Sequence, residues 1–586
     1  MFFLFVSFLF MNSAAFAGDF FALRADFLAM RESCRYNHDI SRTRRQTKLM
    51  RRQIGEEKET RRGFMRAASG ALCGAVLGVR ASRAEQAPED ATPHKDFDVR
   101  DFGAKGDGKA LDSSSINAAI DAAAAAGGAT VNVPAGNYLC YSIHLKSKVR
   151  LFLSSGATIV AADAPEKGQP GYDLAESNRP WEDYQDFGHN HWHNSLIWGE
   201  GLENVSICGP GLIWGKGLSR GEGRGPVAET PGVGNKAIAL KNCRDVLLRD
   251  VSILHGGHFG ILATGVDNLT IDNLKIDTNR DGMDVDCCRN VRISNCSVNS
   301  PWDDAICLKS SFALGYARVT EMVTISDCMV SGSFEEGTLL DGTCKRFPAN
   351  SEVDRNGRIK FGTESNGGYK NITISNCVFD GCFGLAILSV DGALIEDVSI
   401  SNITMRETVG APIFLRLGSR MRGPAGVPVG AIRRVNISNI VSSNGSSKIC
   451  SMITGIPNHN VEDVKISNVL VQHPGGGTAK DAAIELEEKE KEYPEPTMFG
   501  TTPAHGLLIR HAKGIEVNDF KIVADAKDAR PGVVVDDAEA IDFFNLKASQ
   551  GANAPVFVLN DVKDFRASNC SLVADTQIPE AKHKEL

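Results

Sequence analysis

One short pattern recurs along this chain and limits its fold more than anything else in it. The pattern reads apolar-x-apolar-x-Asn-apolar. Clear copies are Val291-Arg292-Ile293-Ser294-Asn295-Cys296, Ile372-Thr373-Ile374-Ser375-Asn376-Cys377, Val398–Ile403, Val435–Ile440 and Val464–Val469. Weaker copies extend it from about residue 204 to 572. Alternating apolar residues mark a strand with one buried face. Asn, Asp or Gly then turns the chain, because these residues tolerate unusual backbone angles. Leu248, Ile271 and Ile293 lie about 22 residues apart. A coil of that length cannot bury its own inner face, so coils must stack.

The pattern therefore predicts an all-β fold, a single-stranded right-handed parallel β-helix, in which Asn295, Asn376, Asn402, Asn439 and Asn468 share one equivalent turn. A leucine-rich repeat is the rival solenoid. Its Leu-x-x-Leu-x-Leu frame is missing, and β-branched residues dominate the copies. Cys296, Cys328, Cys377 and Cys570 occupy one repeat slot and read as small core residues; a disulfide framework is the alternative. Ahead of the repeats, Phe97–Ala104 reads as a first strand. Ser113–Ala126 reads as a helix, with a serine N-cap and Gly127-Gly128 as its stop. Such a helix would cap the open N-terminal end of the core.

Composition adds bounds. The 586 residues are 42% hydrophobic and 23% charged, with a formal charge of −8. No basic excess points to nucleic acid. The Arg/Lys-rich stretch 41–66 belongs to a leader: Arg61-Arg62-Gly63-Phe64-Met65, an apolar run from Ala67 to Val79, then Ser82-Arg83-Ala84. This resembles a twin-arginine export signal. Residues 1–17 form a second apolar segment, and Met50 is a plausible true start. The expected organisation is a leader over 1–84 and a β-helix domain over 85–586. The expected destination is the periplasm or the exterior, with export machinery as partner and no membrane contact after signal removal.

The densest polar cluster spans residues 277–309. Asp281 and the Asp303-Asp304 pair lie about one coil apart, so stacking brings three carboxylates together. Crowded carboxylates raise at least one pKa. A protonated acid beside an ionised carboxylate is what glycoside hydrolysis needs. Spacing alone also allows calcium binding or plain turn chemistry. His189, His191 and His193 alternate beside Trp181, Tyr184, Phe187 and Trp192. On a strand they would share a face, as a metal site or as part of a sugar-stacking wall. Glu487–Glu492 reads as a solvated face, and the insertions 341–357 and 474–505 as cleft walls. No nucleotide, haem or flavin motif is present, and neither cofactor nor metal is expected.

Asp101-Phe102-Gly103-Ala104-Lys105-Gly106-Asp107-Gly108, Asn279-x-Asp281-Gly282 and Asp303-Asp304-Ala305-Ile306-Cys307 together resemble the polygalacturonase family, glycoside hydrolase family 28, over residues 96–470. The resemblance implies a parallel β-helix that hydrolyses pectin with inversion. Asp303 would be the general acid, and Asp281 and Asp304 would hold and deprotonate water. Acid and base would then stand about 6.5–9.5 Å apart. The chain departs from the family pattern in two places. The coil Gly357–Gly368 lacks the family's Gly-His-Gly, and Arg358-Ile359-Lys360 stands one coil early. Asn279, His258, Lys309, Arg358, Lys360 and Glu364 are the expected substrate contacts. A lyase or epimerase on uronic-acid polymers, or a non-catalytic carbohydrate-binding protein, is the alternative.

Overall fold

The computed structural model describes residues 96–586, apart from Lys167, Asn178, Phe187, 222–229, 349–350, Glu352, Asp354 and 550–553. The leader, with its arginine pair and Met50, lies outside the described residues. Residues 93–586 form one unit. It is a right-handed parallel β-helix built on one continuous 35-stranded sheet.

Three faces wind around the core. The face that matters for function holds β1 (Ile197–Glu200), β2 (Lys236–Lys241), β3 (Phe259–Thr264), β4 (Asp281–Asp286), β5 (Ile306–Ser310), β6 (Ile359–Ser365), β7 (Leu385–Ser389), β8 (Ile413–Leu417) and β9 (Ser451–Thr454). Each pairs in parallel with the next through β9, one coil per strand. Ile197, Ile238, Ile261, Met283, Ile306 and Ile359 form one inward ladder on this face. All six are fully buried. A second ladder on the next face runs Val246, Leu269, Val291, Val323, Ile372, Val398, Val435 and Val464. Like residues stack because each coil repeats the register of the one below, and the shared interior removes apolar surface from water.

The expected asparagine turn is present. Asn295, Asn376, Asn402, Asn439 and Asn468 all take left-handed backbone angles, with φ between 53° and 58°. Asparagine's short polar side chain makes that conformation accessible. Its amide can also donate to the coil below and accept from the coil above. Asn402 donates to Asn376 at 3.0 Å, Asn439 to Asn402 at 3.0 Å and Asn468 to Asn439 at 2.8 Å. The thirteen cysteines among the described residues are free. Cys296, Cys328 and Cys377 lie buried in one slot beside these turns.

The N-terminal helix, α1 (Ser113–Ala125), buries Ile116, Ala119, Ile120 and Ala123 against the first coil. Two local expectations change. The N-cap is Asp112 rather than a serine, and its carboxylate instead accepts the Lys105 and Gly106 amides. Phe97–Ala104 is a two-residue strand that closes into a 3-10 turn over Val99–Phe102. At the far end, Thr576–Glu585 pairs antiparallel with Phe557–Ser568. Reversing direction there covers the last parallel edge.

Candidate active site

The site begins where the inward repeat breaks on its outer side. Asp281 opens β4, and Asp303-Asp304 close the turn before β5. The Gly282 amide donates to the Asp304 carbonyl at 2.9 Å, and the Met283 amide to the Ala305 carbonyl at 3.0 Å. This register sets the three aspartates on adjacent rungs. One oxygen of each lies within 4.8 Å of one oxygen of the others. That is closer than the 6.5–9.5 Å expected from inversion with water between acid and base. Sequence spacing predicts adjacent rungs but not the tilt of the side chains toward one another.

The trio's environment splits its members. Asp304 is buried, and Arg358 Nε donates to one of its oxygens at 2.9 Å while Lys360 Nζ holds the other at 2.7 Å. Burial disfavours the charge, but Lys360 and then Arg358 outweigh it and bring the carboxyl down to about 2. Asp281 is buried, and among the described residues no cation is bonded to it; the charge of Lys309 offsets its burial only in part. Burial, and then the charges of Asp284 and Asp303, push it well above the ordinary carboxylate range. Asp303 is raised by burial and by the charge of Asp304, against the pull of Arg280 at 2.9 Å. It is also the member that reaches the groove, its side chain 22% exposed against 1% for Asp304. The trio is therefore split in proton affinity, Asp281 and Asp303 upward and Asp304 downward, and it titrates as a unit.

The surrounding pocket has a volume of about 470 Å³. The trio, Lys309, Lys360, His258, Arg280, His189, Trp302, Phe383, Tyr493 and Glu495 are among the residues lining it. Lys309 is buried and bonded to Glu364 at 2.8 Å, with Asp284 at 3.8 Å. His258 stacks beside Phe259 and approaches Arg280 at 3.4 Å. Burial and the Arg280 charge push its ring well below the ordinary histidine value, so it is neutral.

Three expected substrate contacts stand elsewhere. Arg358 is fully buried behind Asp304, bridging it to Glu495 at 2.5 Å. Glu364 is fully buried between Lys309 and Arg422. Asn279 is also buried outside the pocket lining, and its carbonyl accepts the Trp302 amide at 3.0 Å, tying the two turns together. These residues brace the site rather than face the groove. The physical reason is charge balance: each added carboxylate on this face must be met by a cation, or the charge stays uncompensated.

Sequence reading singles out His189 only as one of a histidine row and does not assign Arg280, Tyr493 or Glu495 to the site. His189 arrives from the loop ahead of β1 and bonds buried Asp284 at 2.9 Å. Burial and Lys309 oppose its charge, but Glu364 and Asp284 outweigh them and raise the ring. The three alternating histidines do not share a strand. His191 goes to Glu182 at 2.8 Å and His193 to Glu200 at 2.9 Å. Glu176, His193 and Glu200 do approach one another within 4.8 Å. However, the Lys241 ammonium already stands 2.8 Å from Glu200, where a metal would need that charge. The Glu-rich stretch is not wholly solvated either: Glu488 pairs with Arg510 and, at 3.0 Å, with His511. That anchors the 474–505 insertion, which carries Tyr493 and Glu495 back over the trio. The unassigned residue in Asn279-x-Asp281 was the available signal for Arg280.

Comparison with known proteins fits this architecture. A family described as rhamnogalacturonase A/epimerase, pectate lyase-like, matches residues 97–182, and one described as right-handed β-helix region matches 236–314. A probable polygalacturonase of Vitis vinifera is 25% identical over 409 residues, covering 63% of this chain and 73% of that protein. The chain is thus similar to polygalacturonases and shares the right-handed β-helix fold. A family 28 exopolygalacturonase of Yersinia enterocolitica shares its fold, with TM-score 0.56 and 18% identity over 78% of this chain and 79% of that one. A separate likeness, to a mannuronan C5-epimerase of Azotobacter vinelandii, is 49% identical but covers 12% of this chain and 4% of that protein.

Proposed function

We propose that this protein is an exported glycoside hydrolase that cleaves a pectin-type polysaccharide or its oligomers with inversion. The observation that carries the reading is the split trio: a groove-facing Asp303 whose proton affinity is raised by burial against Asp304 held ionised by two cations. Asp303 donates its proton to the glycosidic oxygen as the bond to the anomeric carbon breaks. Asp304 carries the charge that faces the cationic transition state and takes the proton of the attacking water, which Asp281 helps to orient. With the carboxylates this close, the water sits on the trio's flank rather than between acid and base. Loops from both ends of the groove converge on the pocket, which favours attack at a chain end. The twin-arginine-like leader supports export to the periplasm or beyond.

The test is product analysis on homogalacturonan, rhamnogalacturonan and their oligomers. New reducing ends, no ultraviolet absorbance from unsaturated sugars, and an inverted anomer by proton NMR are the expected result. A retained anomer would move one aspartate to the role of nucleophile. A second reading, lyase or epimerase, draws on the short epimerase likeness. It needs a free Arg or Lys base, whereas Arg280, Lys309 and Lys360 are each bonded to a carboxylate. Unsaturated products would establish it and demote the trio.

A further inference from the structure

The two cations that hold Asp304 are shared with a carboxylate from another part of the chain. Arg358 Nε donates to one Asp304 oxygen at 2.9 Å, and Lys360 Nζ donates to the other at 2.7 Å. On its far side Arg358 Nη2 donates to Glu495 at 2.5 Å, and Lys360 Nζ stands 3.8 Å from the same Glu495 oxygen. Arg358 and Lys360 are buried, so water does little to weaken these contacts. Two carboxylates therefore divide the pull of two cations.

The 474–505 insertion sets Glu495 there. Glu495 caps a 3-10 turn over Pro496–Phe499, where proline's fixed φ suits the first position. Phe499 belongs to a buried cluster with Phe414 of β8 and Met452 of β9. Arg416, fully buried, donates to the Glu488 and Lys489 carbonyls at 2.6 and 3.2 Å. The insertion is thus fastened to the solenoid by groups other than the Glu495 carboxylate, and the part left to that carboxylate is electrostatic.

A base that takes a proton from water must bind that proton well enough, and the rate falls as its basicity falls. Arg358 and Lys360 keep Asp304 ionised, yet undivided they would leave it a poor proton acceptor. We infer that Glu495 is a positioning residue: by drawing on Arg358 and Lys360 from the side away from Asp304, it sets the basicity of Asp304 and couples the docked insertion to the activation of water. The role of Asp304 as base rests on the hydrolase reading, whereas its coupling to Glu495 through the two cations does not.

The experiment compares the whole mature protein with Glu495→Gln and Glu495→Asp. Carbon-13 NMR of labelled aspartate follows Asp304 down to about pH 2. Asp304 should titrate lower in Glu495→Gln than in the parent, with Glu495→Asp between them. An unchanged or higher titration overturns the coupling. Turnover is then measured on the pectic oligomer that the parent cuts. Glu495→Gln should lower kcat by about tenfold and leave KM close to the parent's, and Glu495→Asp should recover part of the rate. Azide bonds to the anomeric carbon as the glycosidic bond breaks and has no proton to give up. It should therefore raise the rate of Glu495→Gln more than that of the parent, with glycosyl azide as product. A loss of kcat that azide does not relieve, or a change confined to KM, would leave Glu495 a merely structural role and overturn the inference. A lower Asp304 titration in a protein that releases no new reducing ends supports the coupling and removes the hydrolase reading instead.

Discussion

The asparagine turn and the aspartate trio are both stacks on the outside of the same solenoid, and they obey opposite rules. At the turn each coil repeats the residue of the coil below. Asn376, Asn402, Asn439 and Asn468 satisfy one another rung by rung. At the trio successive rungs differ, and like charges are brought together. Phe259, in register with Asp281, belongs to the coil below, and cations follow in β6. Repetition lets neighbours solve each other's hydrogen bonding. Breaking it creates unmet charge, which the chain answers with Arg358, Lys360, Lys309 and Arg280. Those answers are what separate the three carboxyl groups in proton affinity.

The contrast can be tested by substitution. Asp303→Asn should lower turnover by about 10²- to 10⁴-fold while thermal unfolding stays close to the parent, because its side chain is partly exposed. Parent-like turnover would remove Asp303 from the chemistry. Lys360→Met should cost about 3–5 kcal/mol of stability, because it leaves buried Asp304 with half its charge support. Asp304 has a depressed folded pKa, so the ion pair's contribution is complete above the ordinary value of about 4. It is lost as pH falls toward about 2. The gap between parent and variant in urea melts should therefore close over that window, and the acid limb of activity should move upward in the variant. A gap that is constant with pH would contradict the pairing.

Within the repetitive region effects should be purely structural. Ile400→Ala, in the fully buried interior, should cost about 2–5 kcal/mol in chemical denaturation with kcat unchanged. Asn402→Ala should cost about 1–3 kcal/mol, combining left-handed backbone strain with lost amide bonds. A change in kcat/KM from either would mean that the two regions are coupled. The smallest effect is on pH. Activity should persist well into the acid range because Asp304 stays ionised, and it should fall on the alkaline side as the raised pair Asp281/Asp303 loses its proton.

The two regions also differ in how much of each is legible in the sequence. The repeat announces strand, turn and period together, so the solenoid, the asparagine turn and the free buried cysteines follow from local rules. The trio follows as well, because one coil of separation means contact. What surrounds it does not. His189, Tyr493 and Glu495 reach the pocket on irregular loops whose paths no periodicity sets. Arg358 and Glu364 read as groove-facing charges, yet they are buried, because their partners Asp304, Lys309 and Arg422 come from other coils. Glu488 reads as solvated for the same reason, since Arg510 and His511 are distant in sequence.

The most direct test of the account compares Asp303→Asn with the parent on two substrates of one sugar, the natural glycoside and an aryl glycoside with a good leaving group. If Asp303 is the proton donor, the variant should lose about 10²- to 10⁴-fold on the natural bond and keep most of its rate on the aryl glycoside, which needs no proton to depart. Equal losses on both substrates, or no loss on either, would contradict the assignment of the acid and with it the reading of the trio.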